Sequence, residues 1–196
     1  MYYGTIDKNR PMSIPKNAKQ VFKGVIYNVY QWPQEMYDGS VRIFEMIERT
    51  PTVDIIAVVG DKIIVLRQEQ PGRVEYPSLP GGRIEYGQTP EEAAHAELLQ
   101  ETGYKSEKME LFKEFFGDSK TYFHQSIFVA RGCKKIAENN LDGGEKIIVN
   151  LVDFDEFLQL CRDEKFAISM YFKAIMYEAL LDENKKKIIK KSIFNQ

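Results

Sequence analysis

Apolar and polar positions change rhythm several times along this chain, and each change marks an element. From Val21 to Gln31 the run VFKGVIYNVYQ is dense in β-branched and aromatic residues, and VRIFEMIE at 41–48 repeats that character. Tyr37-Asp38-Gly39-Ser40 between them has turn chemistry, so the pair predicts a hairpin. VDIIAVVG (53–60) and KIIVLRQE (62–69) flank Gly60-Asp61 and predict a second hairpin with a largely buried first strand. MELFKEFF (109–116) and TYFHQSIFVARG (121–132) predict two more strands around Gly117-Asp118-Ser119, and KIIVNLV (146–152) predicts the last. The period becomes helical at about 90–102, again in DFDEFLQLCRD (153–163), and again in ISMYFKAIMYEALLDE (168–183). Residues 1–18, broken by Pro11 and Pro15, predict an irregular lead-in; residues 133–144 predict a polar loop closing on Asp142-Gly143-Gly144. The basic run from Lys185 to Lys191 reads as the solvated end of a helix.

Strands that surround one central helix, with further helices at the end, predict an α+β domain layered as α/β/α. A length of 196 residues fits one domain with a small extension, divided here as N-terminal strands over 1–50 and a globular unit over 51–196. An apolar fraction of 43% and a charged fraction of 29% are those of a globular protein in water. The formal charge of −2 argues against a nucleic-acid partner bound by bulk charge. No apolar run is long enough for a bilayer, and MYYGTIDKNRPMS lacks the apolar core of a signal peptide. Cys133 and Cys161 stand far apart, in no metal or redox spacing. These features predict a cytoplasmic protein with no membrane partner. His95 and His124 are isolated and read as structural or exposed.

The chemistry concentrates in LPGGRIEYGQTPEEAAHAELLQETGY, Leu79 to Tyr104. Thr89 is placed as an N-cap, with Pro90 at the first helical position and Glu92 completing a capping box; Gly103 stops the helix. Gly81 and Gly82 let backbone approach a ligand closely. Glu97 and Glu101, four residues apart, share one side of a helix turn. A glycine loop followed by paired carboxylates suits a magnesium–phosphate site, because magnesium takes hard oxygen ligands and completes its shell with water and phosphate.

This segment resembles the signature box of the Nudix hydrolases: Gly, five residues, Glu, seven residues, then Arg-Glu-hydrophobic-any-Glu-Glu-any-Gly-hydrophobic. Gly82, Glu97, Leu98, Glu101, Gly103 and Tyr104 match it in register. Upstream, DGSVRIFEMIERT (38–50) and LRQEQPGRVEYPSLPGG (66–82) are similar to the ADP-ribose or ADP-sugar pyrophosphatase branch. The resemblance implies a Nudix α/β/α sandwich with a mixed sheet, an N-terminal β-hairpin extension swapped across a homodimer, and C-terminal helices. It implies hydrolysis of a small-molecule nucleotide, a nucleoside diphosphate linked to another moiety. The metal, Mg2+ or in its place Mn2+, would be held by the Gly81 carbonyl, Glu97, Glu101 and Glu145, with Glu101, Glu97 and Glu145 as the catalytic set. Trp32, Phe44, Glu45, Arg49 and Arg83 are the implied substrate contacts, with Tyr27, Arg67 and Arg73 as further candidates for base or phosphate.

The chain departs from the box at Gln88, Ala96 and Gln100, where the pattern has Glu, Arg and Glu. Gly143 stands where the branch carries its general base, which leaves Asp142 or Glu145 for that task. These four residues motivate an alternative: a catalytically impaired Nudix-fold module that binds nucleotide without turnover. A purely structural dimerisation domain is a third reading.

Overall fold

The computed structural model describes residues 13–117, 120–141 and 143–195. In chain order its first strands are β1 (Lys19–Lys23), β2 (Tyr27–Glu35), β3 (Val41–Arg49), β4 (Thr52–Val59), β5 (Lys62–Gln70), β6 (Arg73–Ser78) and β7 (Gly81–Arg83). Helix α1 (Pro90–Thr102) follows, then β8 (Tyr104–Lys105), β9 (Lys108–Phe116), β10 (Thr121–Tyr122), β11 (His124–Arg131), β12 (Lys134–Lys135) and β13 (Lys146–Val152). Three helices come last: α2 (Phe154–Leu160), α3 (Met170–Leu181) and α4 (Glu183–Phe194). The class is α+β, as the change of rhythm along the sequence predicts.

The chain divides into two compact units, one running to Pro51 and including Glu114–Gln125, the other holding Thr52–Lys113 and Ser126–Gln196. The first unit is a four-stranded sheet in the order β1-β2-β3-β10. The apolar run 21–31, expected as one strand, is two strands folded back on each other. The Gly24 N–H donates to the Tyr27 carbonyl at 2.8 Å, and a β-carbon on Gly24 would lie 2.7 Å from that same oxygen. Glycine therefore permits a turn that the density of β-branched residues conceals. β1 then pairs antiparallel with β2, Lys19 opposite Gln31 and Lys23 opposite Asn28. The hairpin of β2 and β3 forms as expected, with Tyr27 opposite Arg49 and Trp32 opposite Phe44. Asp38 shapes its turn by accepting from the Ser40 N–H at 2.9 Å and the Ser40 hydroxyl at 2.6 Å. Trp32 and Met46 are buried, whereas Val41, Ile43 and Ile47 alternate along an exposed face of β3. β10 joins β3 in parallel, which makes the sheet mixed.

The second unit is built on the path β13-β5-β4-β11-β9, with β6 added to β5 and β7 to β4. Val53, Ile55 and Ala57 of β4 and Ile64 and Leu66 of β5 form a core with Ala93, Ala94 and Leu98 of α1 and Phe128, Ala130 and Cys133. Burial of β4 over Ile55–Val58 without alternation reflects a strand covered on both faces. β6 and β7 are short, with Pro77 inside β6 and Pro71 and Pro80 beside them, so their residues form no periodic run long enough to read in the sequence. β5 and β6 pair antiparallel, with Gln68 opposite Tyr76 and Leu66 opposite Ser78.

The helical pattern at 168–183 resolves into α3 and the start of α4. Asp182 caps the end of α3 and, through its carboxylate, accepts from the Asn184 N–H at 2.8 Å to begin α4. The basic run is more than a solvated helix end: α4 carries it on one side and buries Ile189 and Ile193 on the other. Arg131 of β11 donates to the Ile193 carbonyl at 2.7 Å, to the Ser192 carbonyl, and to Glu110 of β9. Cys133 and Cys161 are free and buried, and burial pushes their thiols up to about 11 and about 12. Among the described residues no helix is long and apolar enough to cross a membrane.

Candidate functional site

Helix α1 begins where the sequence sets it. The Thr89 hydroxyl accepts from the Glu92 N–H at 3.2 Å and the Glu92 carboxylate accepts from the Thr89 N–H at 2.8 Å, the reciprocal box that satisfies two orphan donors. Gly103 closes the helix in the left-handed conformation, its N–H donating to the Leu99 carbonyl. Gln88, which replaces an acid of the family pattern, has a use of its own. Its side-chain oxygen accepts from the Glu85 N–H at 3.0 Å and so tightens the loop ahead of the cap.

The preceding loop is fixed to the sheet. Gly81 pairs with Asp54 in the β4–β7 ladder, and the Ile55 N–H donates to the Pro80 carbonyl at 2.8 Å. A β-carbon on Gly81 would overlap the Val53 carbonyl. One on Gly82 would overlap the Glu97 carboxylate, so Glu97 occupies the space this glycine leaves open. Glu101 lies deeper, 5% exposed, and accepts from the Gly81 N–H at 2.8 Å. The Gln68 amide nitrogen stands 3.5 Å from its other oxygen.

Burial pushes the Glu101 carboxyl up to about 9; the Gly81 N–H works against this, while Glu97, Glu145 and Asp54 add repulsion. Glu97, Glu145 and Asp54 are half-buried. Glu145 is approached by the Gln70 amide at 3.4 Å from its Oε1. Glu97 and Glu145, which the sequence pattern nominates from two separate segments, thus both act on Glu101. Asp54 was not among them: a lone acid inside an apolar strand carries no signal until β7 is laid beside it. Gln68 is a second such residue, buried with Tyr76 and Ser78 behind Glu101.

Among the described residues no three Asp, Glu, His or Cys side chains are gathered closely enough to enclose a metal on their own. The chemistry of the donor set nonetheless fits a hard divalent cation. Glu101 is driven toward its neutral form by burial, with repulsion from Glu97, Glu145 and Asp54 added. A bound cation would offset that penalty. Asp142, the other acid considered for the base, lies outside the described residues, as do Asp118 and Ser119 of the expected turn; Gly143 is exposed.

The nominated substrate contacts fall in both units. Arg83 is exposed on β7 of the second. Trp32, Phe44, Glu45 and Arg49 belong to the first. Trp32 is 6% exposed, its ring 5.9 Å from that of Phe44 and its N–H donated to the Gln34 side chain at 3.2 Å. Lys120 sits 4.1 Å over the Phe44 ring, and Arg49 sits 4.4 Å over Phe123. Glu45 accepts from the Gln31 amide at 2.7 Å. His124 is structural, stacked on Phe116 at 5.0 Å and bonded to Glu114 at 2.8 Å.

The chain is 28% identical over 177 residues to the methanol dehydrogenase activator of Bacillus methanolicus, covering 87% of this chain and 94% of that protein. It is 27% identical over 165 residues to the ADP-ribose pyrophosphatase of Bacillus subtilis (strain 168), covering 81% and 88%. In three dimensions it matches a crystal structure of an ADP compounds hydrolase with a TM-score of 0.69 at 18% identity, over 91% of this chain and 98% of the other, a likeness of fold. The model of the NUDIX domain matches residues 48–172, a span that holds the glycine pair, α1 and Glu145. On the strength of that match the chain belongs to the NUDIX domain family.

Proposed function

We propose that the protein is a divalent-metal-dependent hydrolase that cleaves a nucleoside diphosphate linked to another moiety, with an ADP-sugar-like substrate. The observation that carries this reading is Glu101: a buried carboxyl, bonded to the Gly81 N–H and repelled by Glu97, Glu145 and Asp54. Such an arrangement is costly for a merely structural acid and suited to a cationic ligand. The likeness to an ADP-ribose pyrophosphatase over most of both chains supports the substrate class.

In this reading Glu97, Glu101, Glu145 and the Gly81 carbonyl would hold Mg2+ or, in its place, Mn2+. A bound ion would supply Lewis-acid stabilisation of the diphosphate charge. Gly82 keeps the path to Glu97 open. Glu145, held by Gln70, takes the proton of the water that attacks phosphorus. Arg83 and the first unit's Trp32, Phe44, Glu45 and Arg49 are assigned to the nucleotide. The exposed apolar face of β3 supports a homodimer, and the two free, buried thiols support a cytoplasmic setting.

The test is release of nucleoside monophosphate from a panel of nucleoside diphosphate derivatives with magnesium or manganese. Glu101→Gln should lower turnover at least about 100-fold, beyond the usual cost of losing an outer-shell partner. No product from any substrate would overturn the reading. A nucleotide-binding module without turnover is the second reading, favoured by Gln100, whose amide brings no charge to a metal, and by Gly143. Calorimetric nucleotide binding without product would select it.

A further inference from the structure

The hairpin of β5 and β6 carries a set of side chains that the roles above leave unexplained. Tyr76, Gln68 and Ser78 are buried, and the Tyr76 hydroxyl donates to the Gln68 oxygen at 3.1 Å. The Gln68 amide nitrogen donates to the Ser78 hydroxyl at 2.7 Å and faces Glu101. On the outer side of this group, the guanidinium carbon of Arg73 lies 3.4 Å from the centroid of the Tyr76 ring. Gln70, the cross-strand partner of Arg73, is the residue that donates to Glu145. One hairpin therefore links Glu101 through Gln68 and Tyr76 to Arg73, and Arg73 through Gln70 to Glu145. In keeping with this, Tyr76 is held above the ordinary phenol range chiefly by burial, opposed by the Arg73 charge, with the Glu101 and Glu145 charges adding to the rise.

Three arginines flank the glycine loop in sequence, and their surroundings separate them. Arg67 is committed to Glu75 in an ion pair. Arg83 is exposed and, among the described residues, rests on no ring. Arg73 is exposed too, but it is spread over an aromatic face that is itself bonded into the buried group. Among the described residues no carboxylate lies within ion-pair distance of it. A planar cation, oriented by stacking and not neutralised by an acid, is fitted to grip two phosphate oxygens at once.

We propose that Arg73, held over the Tyr76 ring, is the protein's receptor for the diphosphate of the nucleotide. This rests on the reading of the Glu97–Glu101 corner as a nucleotide site. Tyr76 and Gln68 are positioning residues that fix the cation relative to Glu101.

The experiment is calorimetric binding of ADP and of adenosine, with magnesium, to the full chain and its variants. Arg73→Ala should weaken ADP about tenfold or more, the scale of a lost charge-assisted hydrogen bond, and leave adenosine unchanged. Arg73→Lys, which keeps the charge but loses the fork and the stack, should fall between. Tyr76→Phe keeps the ring and should bind ADP within about threefold of the parent, since it loses one neutral hydrogen bond. Arg73→Ala binding ADP within twofold of the parent overturns the proposal, as does a parent protein that binds no ADP. Loss of ADP affinity in a protein that hydrolyses nothing would sustain Arg73 and reject the hydrolase; an unchanged KM for Arg73→Ala in an active enzyme would do the reverse.

Discussion

The two compact units of this chain solve opposite problems. In the second, β4 and β5 are buried on both faces, and Glu101, the one strongly perturbed acid among the described residues, is enclosed by its own fold. In the first, a four-stranded sheet buries Trp32 and Met46 while Val41, Ile43 and Ile47 stay open on β3. A sheet with an apolar face in water is marginal alone and commonly waits for a partner. One unit places charge where burial makes it costly; the other places apolar surface where exposure makes it costly.

That contrast can be broken at several points. Trp32→Ala should have the largest effect on stability, about 3–5 kcal/mol for truncating a buried aromatic, measured by denaturant unfolding. A loss under about 1 kcal/mol would mean that Trp32 adds little to the packing of the first unit. Next are the adjacent glycines. Gly81→Ala drives its β-carbon into the Val53 carbonyl, backbone that cannot give way, and should cost about 1–3 kcal/mol. Gly82→Ala meets first the tip of the Glu97 side chain, so it should fold normally yet lose up to about 100-fold in turnover as that carboxylate moves. Equal stability losses at the two positions would show that the loop, and not Glu97, feels the change.

Acid–base behaviour sharpens the same point. Glu101 titrates near 4.5 when unfolded and at about 9 in the fold, so between those values the native state holds a proton that the unfolded chain has released. Stability without divalent metal should therefore fall as pH rises from about 5 to 9. Glu101→Gln should flatten that slope, and added magnesium should reduce it. A melting temperature that climbs across this range would refute the assignment. The mildest change is Ile43→Lys, an exposed site whose own stability effect should stay within about 0.5 kcal/mol. In light scattering it should convert a dimer to a monomer; a parent protein that is already monomeric would end the dimer reading.

Much of the site was legible because it is local. Thr89, Pro90, Glu92 and Gly103 define α1 within 15 consecutive residues, and the spacing of Glu97 and Glu101 follows from helix geometry alone. Asp54 and Gln68 were not legible, since each matters only after strands distant in sequence are laid side by side: Asp54 opposite Gly81, Gln68 opposite Tyr76. The missed fold-back at Gly24 has a different cause. A glycine within a β-branched run is a weak break in any periodicity count, and only its bond to Tyr27 reveals the turn. The buried seam of α4 was hidden by its lysines, because composition averages over faces that the helix separates.

Arg131 has a practical consequence for anyone altering this chain. Its guanidinium grips the carbonyls of Ser192 and Ile193, the last turn of α4, while holding Glu110. A shortened version ending before Ser192 would strip that cation of two acceptors and uncover Ile189. Trimming should therefore stop beyond Phe194, and a fusion partner joined after Asn195 would leave the latch intact.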